Sequence, residues 1–342
     1  MSLNKRKSPF SNQVVILLVI AAAVVAVLAA ITLRSVRPNG RLKSLAPATS
    51  EQLANENTPE AADAVPAGDA NRSTNRDPSR DPNGAAGDPV IVELVDTSRP
   101  LISGGETLDN VRRLPTTVWH PEAAGTYPLV VFAHGYQVGP LTYARFCAAL
   151  AAMRFVVAAP SFPLADESRG NGLDRDDIPN EASDINFVIA QLRGSDPSIS
   201  GDPVAVIGHS DGANAALLVA ERPDSMNPAI GAVVAIAPDP LSGNLSSSPP
   251  PVLIIHGTND PVASFADAKG EFERFAGSRF LLALDGADHL APIVGDTPWT
   301  PVLDRAVELF LDGIIERSAP VDNIALASAL DELGLSYALH AG

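Results

Sequence analysis

Pro203-Val204-Ala205-Val206-Ile207-Gly208-His209-Ser210-Asp211-Gly212-Ala213 changes character at its centre, and that change decides the fold. Residues 203–207 are apolar and partly β-branched without alternation, the pattern of a strand buried on both faces. Residues 213–221 are rich in alanine and leucine, which favour a helix. A strand that turns directly into a helix lifts the residue at the turn, Ser210, onto the top of a sheet. Gly208 and Gly212 allow the strained backbone and the close strand–helix packing that such a turn requires. The stretch predicts a buried strand, a sharp elbow and a helix, with a serine placed as a nucleophile.

The same alternation extends to both sides. Residues 129–133, 155–159, 230–237, 252–255 and 280–284 are further apolar runs of strand length. Helical patterns over 142–153, 181–192, 265–275 and 302–315 are interleaved with them. Continuous apolar strands separated by helices mean a mainly parallel sheet covered on both faces, the doubly wound α/β class. Residues 90–95 and 112–119 read as two earlier strands forming an antiparallel edge. About 230 residues is ample for one such core. Ligands of these sheets bind beyond the carboxyl ends of the strands, so partners for Ser210 are expected there.

Two strand ends carry them. Asp260 lies in His256-Gly257-Thr258-Asn259-Asp260, after the 252–255 strand, and His289 lies in Gly286-Ala287-Asp288-His289-Leu290, after the 280–284 strand. A serine hydroxyl is a poor nucleophile until an imidazole can take its proton. A carboxylate must then fix the tautomer of that imidazole and stabilise its charged form. Asp260 has a second reading as the cap of the following helix, and His289 one as a loop brace. Asp285 and Asp288 are nearby acids with poorer geometry, one ending the strand and the other adjoining the histidine. His209 reads as an elbow residue packed beside the serine, His256 as a structural strand-end residue, and Cys147 as helix packing. An oxyanion hole needs two backbone N–H donors. Asp211 supplies one, and Tyr136 in His134-Gly135-Tyr136, after the 129–133 strand, supplies the other. The Asp211 carboxylate must then point away from the oxyanion, because its charge opposes the one being stabilised.

Ala133-His134-Gly135-Tyr136, Gly208-His209-Ser210-Asp211-Gly212, His256-Gly257-Thr258-Asn259-Asp260 and Gly286-Ala287-Asp288-His289 together resemble the α/β-hydrolase superfamily. Within it they are most similar to the branch of chlorophyllase, platelet-activating-factor acetylhydrolase, dienelactone hydrolase and polyester-type cutinase. The resemblance covers roughly residues 112–317. It implies Ser210 as nucleophile, Asp260 as acid, His289 as base and Tyr136 with Asp211 as oxyanion donors. It also implies a small-molecule carboxylic ester as substrate and an acyl-enzyme mechanism. The sequence departs from two members of the branch. Polyester-degrading cutinases carry methionine after the nucleophile and a tryptophan after the following strand, where this chain has Asp211 and Ala237-Pro238-Asp239. Dienelactone hydrolases use cysteine as nucleophile. A catalytically degenerate binding module and a peptidase of the same superfamily are the rival readings. Phe162, Leu290 and Trp299 are candidate walls of a substrate pocket. The loop over residues 164–179 reads equally as an entrance to the site or as a solvated excursion.

Before the folded region the chain has a different composition. Residues 1–13 form a basic tail, and residues 14–33 contain no charge. At about 1.5 Å per residue that run is about 30 Å long, the thickness of a bilayer's hydrocarbon core. It reads as an uncleaved membrane-spanning anchor, since a signal peptide has a shorter apolar core and a small-residue cleavage site. Residues 34–88 are rich in Pro, Ala, Asn, Asp, Ser and Gly, and no aromatic residue occurs between Phe10 and Trp119. They are expected to form a disordered tether, leaving residues 89–342 as the catalytic domain, outside the cytoplasm. The sequence does not determine an oligomeric state. A net charge of −16 argues against nucleic acid as a partner. The chain has no histidine–cysteine cluster of metal-ligand spacing, no dinucleotide fingerprint and no phosphate-binding P-loop, so neither metal nor cofactor is expected.

Overall fold

A computed structural model describes residues 85–221, 225–241, 249–275, 277–312, 331 and 337–341. The basic tail, the candidate anchor and the tether up to residue 84 lie outside the described residues. Among the described residues no helix is long and apolar enough to cross a membrane. Residues 85–87, read as the end of the tether, pair with residues 120–122. The Gly87 N–H donates to the His120 carbonyl and the Glu122 N–H to the Ala85 carbonyl, each at 2.8 Å. Backbone pairing at residues of low apolarity is invisible to composition, so the folded unit takes in the last residues of that segment.

Among the described residues one nine-stranded sheet organises the structure. Its strands in the chain are β1 (Val90–Asp96), β4 (Arg112–Trp119), β5 (Leu129–Ala133), β6 (Val156–Pro160), β7 (Val204–His209), β8 (Ile230–Ile236), β9 (Val252–Gly257), β10 (Arg279–Leu284) and β11 (Tyr337–Ala341). A separate hairpin pairs β2 (Leu101–Ser103) with β3 (Glu106–Asp109). The spatial order is β1-β4-β6-β5-β7-β8-β9-β10-β11. From β6 to β10 every pairing is parallel. The β1–β4, β4–β6 and β10–β11 pairings are antiparallel. The parallel strands β5, β6 and β9 are buried along their whole length, as the unalternating sequences require.

Among the described residues five α-helices cover the two faces: α1 (Ala144–Ala152), α2 (Ile178–Ser195), α3 (Asp211–Glu221), α4 (Phe265–Arg274) and α5 (Thr300–Leu311). One core layer joins α2 and α3 to the sheet through residues such as Ile185, Val188, Leu217 and Val206. The opposite layer joins α1 and α5 through Phe146, Leu150, Val307 and Phe310. This is the doubly wound arrangement, with antiparallel strands at both edges. Helix α2 begins earlier than its apolar pattern suggested. Its N-terminus is held by a buried ion-pair cluster in which Arg112 Nη2 donates to Asp177 Oδ2 at 2.8 Å and to Asp184 Oδ2 at 2.6 Å. All three side chains are sealed from solvent. Removing one partner of such a cluster costs about 3–5 kcal/mol, because the remaining charge stays buried and unpaired.

Candidate active site

The strand–elbow–helix stretch folds as a sharp turn between β7 and α3. Ser210 sits at its apex with φ of 55°, in the left-handed region that L-residues rarely adopt. The strain is held by its surroundings: the Ser210 N–H donates to the Ile236 carbonyl at 2.9 Å, and its own carbonyl accepts from the Ala213 N–H at 2.8 Å. Glycine is obligatory on both sides. A Cβ on Gly208 would lie 2.1 Å from the Gly212 carbonyl oxygen, and one on Gly212 would lie 2.2 Å from the Ala133 carbonyl oxygen. The elbow therefore presses directly on the end of β5, where the His134-Gly135-Tyr136 loop starts. A Cβ on Gly135 would stand 3.3 Å from Ser210 Cβ, so that loop lies against Ser210.

Asp260 and His289 meet. His289 Nδ1 donates to Asp260 Oδ2 at 2.7 Å. The other carboxylate oxygen, Oδ1, accepts from the Val262 and Ala263 N–H groups at 2.8 and 3.0 Å. The helix-capping role considered for Asp260 belongs to Ser264, whose hydroxyl accepts from the Ala266 N–H at 3.1 Å. His256 Nε2 lies 3.3 Å from Asp260 Oδ2. Burial alone would raise the Asp260 carboxyl. Hydrogen bonds from His256 and His289, with the His289 charge and the Val262 amide, outweigh it and hold the group well below the ordinary carboxylate range. The nearby acids are otherwise engaged: Asp288 Oδ1 accepts from the Leu290 and Ala291 N–H groups, and Asp285 Oδ1 accepts from the Thr258 hydroxyl.

Beneath the elbow runs a chain of buried hydrogen bonds. The Gly135 N–H donates to the Tyr143 hydroxyl at 3.2 Å, and that hydroxyl lies 2.9 Å from His209 Nδ1. His209 Nε2 lies 3.0 Å from the His289 carbonyl. A carbonyl only accepts, so Nε2 carries the proton and Nδ1 accepts from the tyrosine. One neutral imidazole thus fixes the His134-Gly135-Tyr136 loop, the elbow and the histidine loop relative to one another, and its ring stands 4.8 Å from that of His289. His134 plays a similar part. The Phe162 N–H donates to its Nε2 at 2.9 Å, so Nδ1 is the protonated atom, donating to the Gly135 carbonyl at 2.9 Å.

Burial pushes His209 down to about 3 and His134 to about 4, from an ordinary 6.5. Below about pH 6.5 the unfolded chain binds protons at these positions that the folded chain refuses. Their contribution to stability is therefore lost as pH falls, at about 1.4 kcal/mol per pH unit for each. Glu181, fully buried and raised well above its ordinary value, acts with the opposite sign in that window. The histidine effect is isolated by comparison with a variant. The stability deficit of His209→Gln relative to wild type is expected to shrink by about 2 kcal/mol between pH 6.5 and 5, read from urea midpoints. A deficit independent of pH would contradict the neutral assignment.

The three proposed pocket walls fare differently. Phe162 is completely buried, with its ring centroid 4.9 Å from that of His134. It packs against His134 inside the fold, where the sequence reading placed it at a pocket wall. A phenylalanine just past a strand end has the same local pattern in either role. Trp299 is half-buried and braces the histidine loop, its indole N–H donating to the Asp285 carbonyl at 3.0 Å. Leu290 is exposed beside His289. Tyr136 is half-buried, and burial raises its phenol. Cys147 is buried in α1, and burial raises its thiol far above the reactive range.

Sequence reasoning missed Arg175. It stands on a short 3₁₀ turn, Arg175–Asp177, within the 164–179 loop. Its Nε donates to Asp211 Oδ2 at 2.7 Å and its Nη2 to Asp211 Oδ1, a two-pronged grip on the residue after Ser210. The Asp211 side chain is buried.

A mostly parallel nine-stranded sheet with a serine at a left-handed strand–helix elbow defines the α/β-hydrolase class. Comparison with known proteins narrows it. A family model described as chlorophyllase matches residues 105–260. The chain is 30% identical over 195 residues to Cutinase 1 of Thermobifida cellulosilytica, covering 54% of this chain and 71% of the relative. It is also 30% identical to the cutinase of Thermobifida fusca (strain YX), covering 54% of this chain and 62% of the relative. Chlorophyllase-1 of Arabidopsis thaliana is 26% identical over 133 residues, 38% of this chain and 40% of the relative. The chain belongs to the α/β-hydrolase superfamily, in its chlorophyllase/cutinase-like branch. It is a carboxylic ester hydrolase, with the serine-hydrolase chemistry typical of that fold family.

Proposed function

We propose that Ser210, His289 and Asp260 form the catalytic triad of a serine esterase that works through an acyl-enzyme. The observation that carries this reading is the Asp260–His289 hydrogen bond, on a loop tied through the His289 carbonyl to the residue preceding Ser210. Ser210 Oγ attacks the ester carbonyl carbon while His289 Nε2 takes the hydroxyl proton. The N–H groups of Tyr136 and Asp211 hold the resulting oxyanion. The first N–H of α3 has no partner within the helix, which leaves Asp211 suited to that task. Collapse breaks the bond to the alcohol, which leaves with the proton from His289. Water then attacks the acyl carbon, giving its proton to His289. Ser210 regains that proton as the carboxylic acid departs. Asp260, held ionised, keeps the His289 proton on Nδ1 and stabilises the imidazolium. The substrate is a small-molecule carboxylic ester, with Leu290 at the mouth of the site, and no step uses a cofactor or metal.

A fluorophosphonate probe tests the reading, since it phosphonylates only an activated serine. Full-length protein is expected to label at one site, and a peptide map should place the adduct on Ser210. A folded protein that resists the probe would overturn the proposal. The same label tests the anchor that we propose over residues 14–33, with the catalytic domain outside the cytoplasm. The labelled band is expected to stay in the membrane pellet after alkaline carbonate extraction, and to disappear when intact cells are treated with protease. Release by carbonate would remove the anchor, and protection in intact cells would reverse the sidedness.

A further inference from the structure

A single side chain touches both residues whose backbone N–H groups are assigned to the oxyanion. Arg175 grips the buried Asp211 carboxylate with Nε and Nη2, and its guanidinium carbon lies 5.9 Å from the centre of the Tyr136 ring. The same Nη2 donates to Asp239 Oδ2 at 3.0 Å. Asp239 follows β8 and is itself clasped by Asn214 of α3, whose amide bonds its backbone carbonyl at 3.1 Å and its N–H at 3.0 Å. The turn that presents Arg175 is pinned on both sides. Ser103 donates to Asp174 Oδ2 at 2.7 Å, and Asp177 is locked in the buried Arg112 cluster. The guanidinium is thus delivered by a fixed turn to the rim of the elbow.

We propose that Arg175 is a positioning residue for the oxyanion hole, neutralising and turning aside the Asp211 carboxylate while holding Tyr136 at its distance from the elbow. The proposal rests on the assignment of Ser210 as nucleophile. An acid immediately after the nucleophile places a negative charge beside the oxygen that must become negative. Arg175 makes that residue tolerable by taking the charge into a two-pronged pair directed along the loop. Arginine suits the task where lysine does not, because its planar fork matches a carboxylate edge and its face packs on an aromatic ring. Two carboxylates engage the guanidinium, so its charge is spent on the protein and is not offered to an anionic substrate. The 164–179 loop is accordingly a structural clasp of the site, the role that its charge pattern left open.

The test is a charge-compensation series in the full-length protein. Arg175→Gln is expected to lower kcat on p-nitrophenyl butyrate about 30-fold or more with KM changed little, because the lost interaction acts on the transition state. Its affinity for phenylboronic acid, which forms a tetrahedral anion on serine, should fall in parallel. Adding Asp211→Asn to that variant removes the stranded charge and is expected to restore at least 10-fold of the loss in both measurements. A merely structural arginine would not be rescued by neutralising its partner. Wild-type kcat in Arg175→Gln, or a loss that Asp211→Asn does not relieve, would overturn the proposal. If Arg175→Gln does not fold, Arg175→Lys decides: a boronate affinity unchanged from wild type would overturn the need for the fork, and a weakened one supports it. Fluorophosphonate labelling of the wild type is scored first, so that failure of the nucleophile assignment is seen separately from failure of this one.

Discussion

Ser210→Ala is expected to lower the hydrolysis of p-nitrophenyl butyrate by about 10³–10⁶-fold while leaving the fold intact. The loss has this size because, in the proposed mechanism, the whole acyl-transfer route passes through one oxygen. The background that remains comes from binding and from the oxyanion donors, which act on attacking water far less effectively. The fold should survive because nothing structural hangs on the hydroxyl. The elbow is held by backbone hydrogen bonds, from the Ser210 N–H to Ile236 and from the Ala213 N–H to Ser210, and by the two flanking glycines. Alanine carries the same Cβ and adopts φ of 55° at a similar cost, so the strain is neither relieved nor increased. A melting temperature within a few degrees of wild type, with activity and fluorophosphonate labelling both gone, is the expected pair of results. Retention of more than about a tenth of the activity would mean that another group performs the attack, and the mechanism would have to be rebuilt.

The elbow was legible in the sequence because its requirements are local. A buried strand, two glycines and a helix within eleven residues leave little freedom, and the closeness of Gly208 and Gly212 to neighbouring backbone shows why. The parallel strands were legible for a related reason: burial on both faces demands unbroken apolar runs. What escaped depends on partners distant in the chain. Strand β11, which pairs antiparallel with β10 from Leu284↔Tyr337 to Phe280↔Ala341, carries no comparable run. The early start of α2 depends on Arg112 pairing with Asp177 across 65 residues. Arg175 was hidden in a loop of many acids, and only the fold brings it to Asp211, 36 residues away. A signal did exist. Next to the proposed nucleophile the Asp211 carboxylate is a charge that must be directed away, and a basic residue on a neighbouring loop is the simplest means. Phe162 shows the converse, since an aromatic residue past a strand end looks the same whether it faces ligand or core.

Asp260→Asn is expected to reduce kcat by about 10³–10⁴-fold with KM little changed, a loss of about 4–5.5 kcal/mol in transition-state stabilisation. The direction follows from which oxygen is replaced. Oδ1 accepts two backbone N–H groups, from Val262 and Ala263, so the asparagine must keep its carbonyl oxygen there. Its NH₂ group is then turned toward His289 Nδ1, where the carboxylate had accepted at 2.7 Å. Two donors cannot share that contact. The imidazole relieves the conflict by moving its proton to Nε2, the atom that must be free to take the proton of Ser210. The base is present but in the wrong tautomer, and the negative charge that stabilised its protonated form is gone. The fold is kept because the turn over residues 260–263 retains both amide hydrogen bonds. Asp285→Asn and Asp288→Asn serve as controls and should stay within a few-fold of wild type. If either control abolished activity while Asp260→Asn retained it, the acid would have been wrongly assigned. A loss in Asp260→Asn confined to KM would be equally damaging, because the carboxylate would then serve binding and not proton transfer.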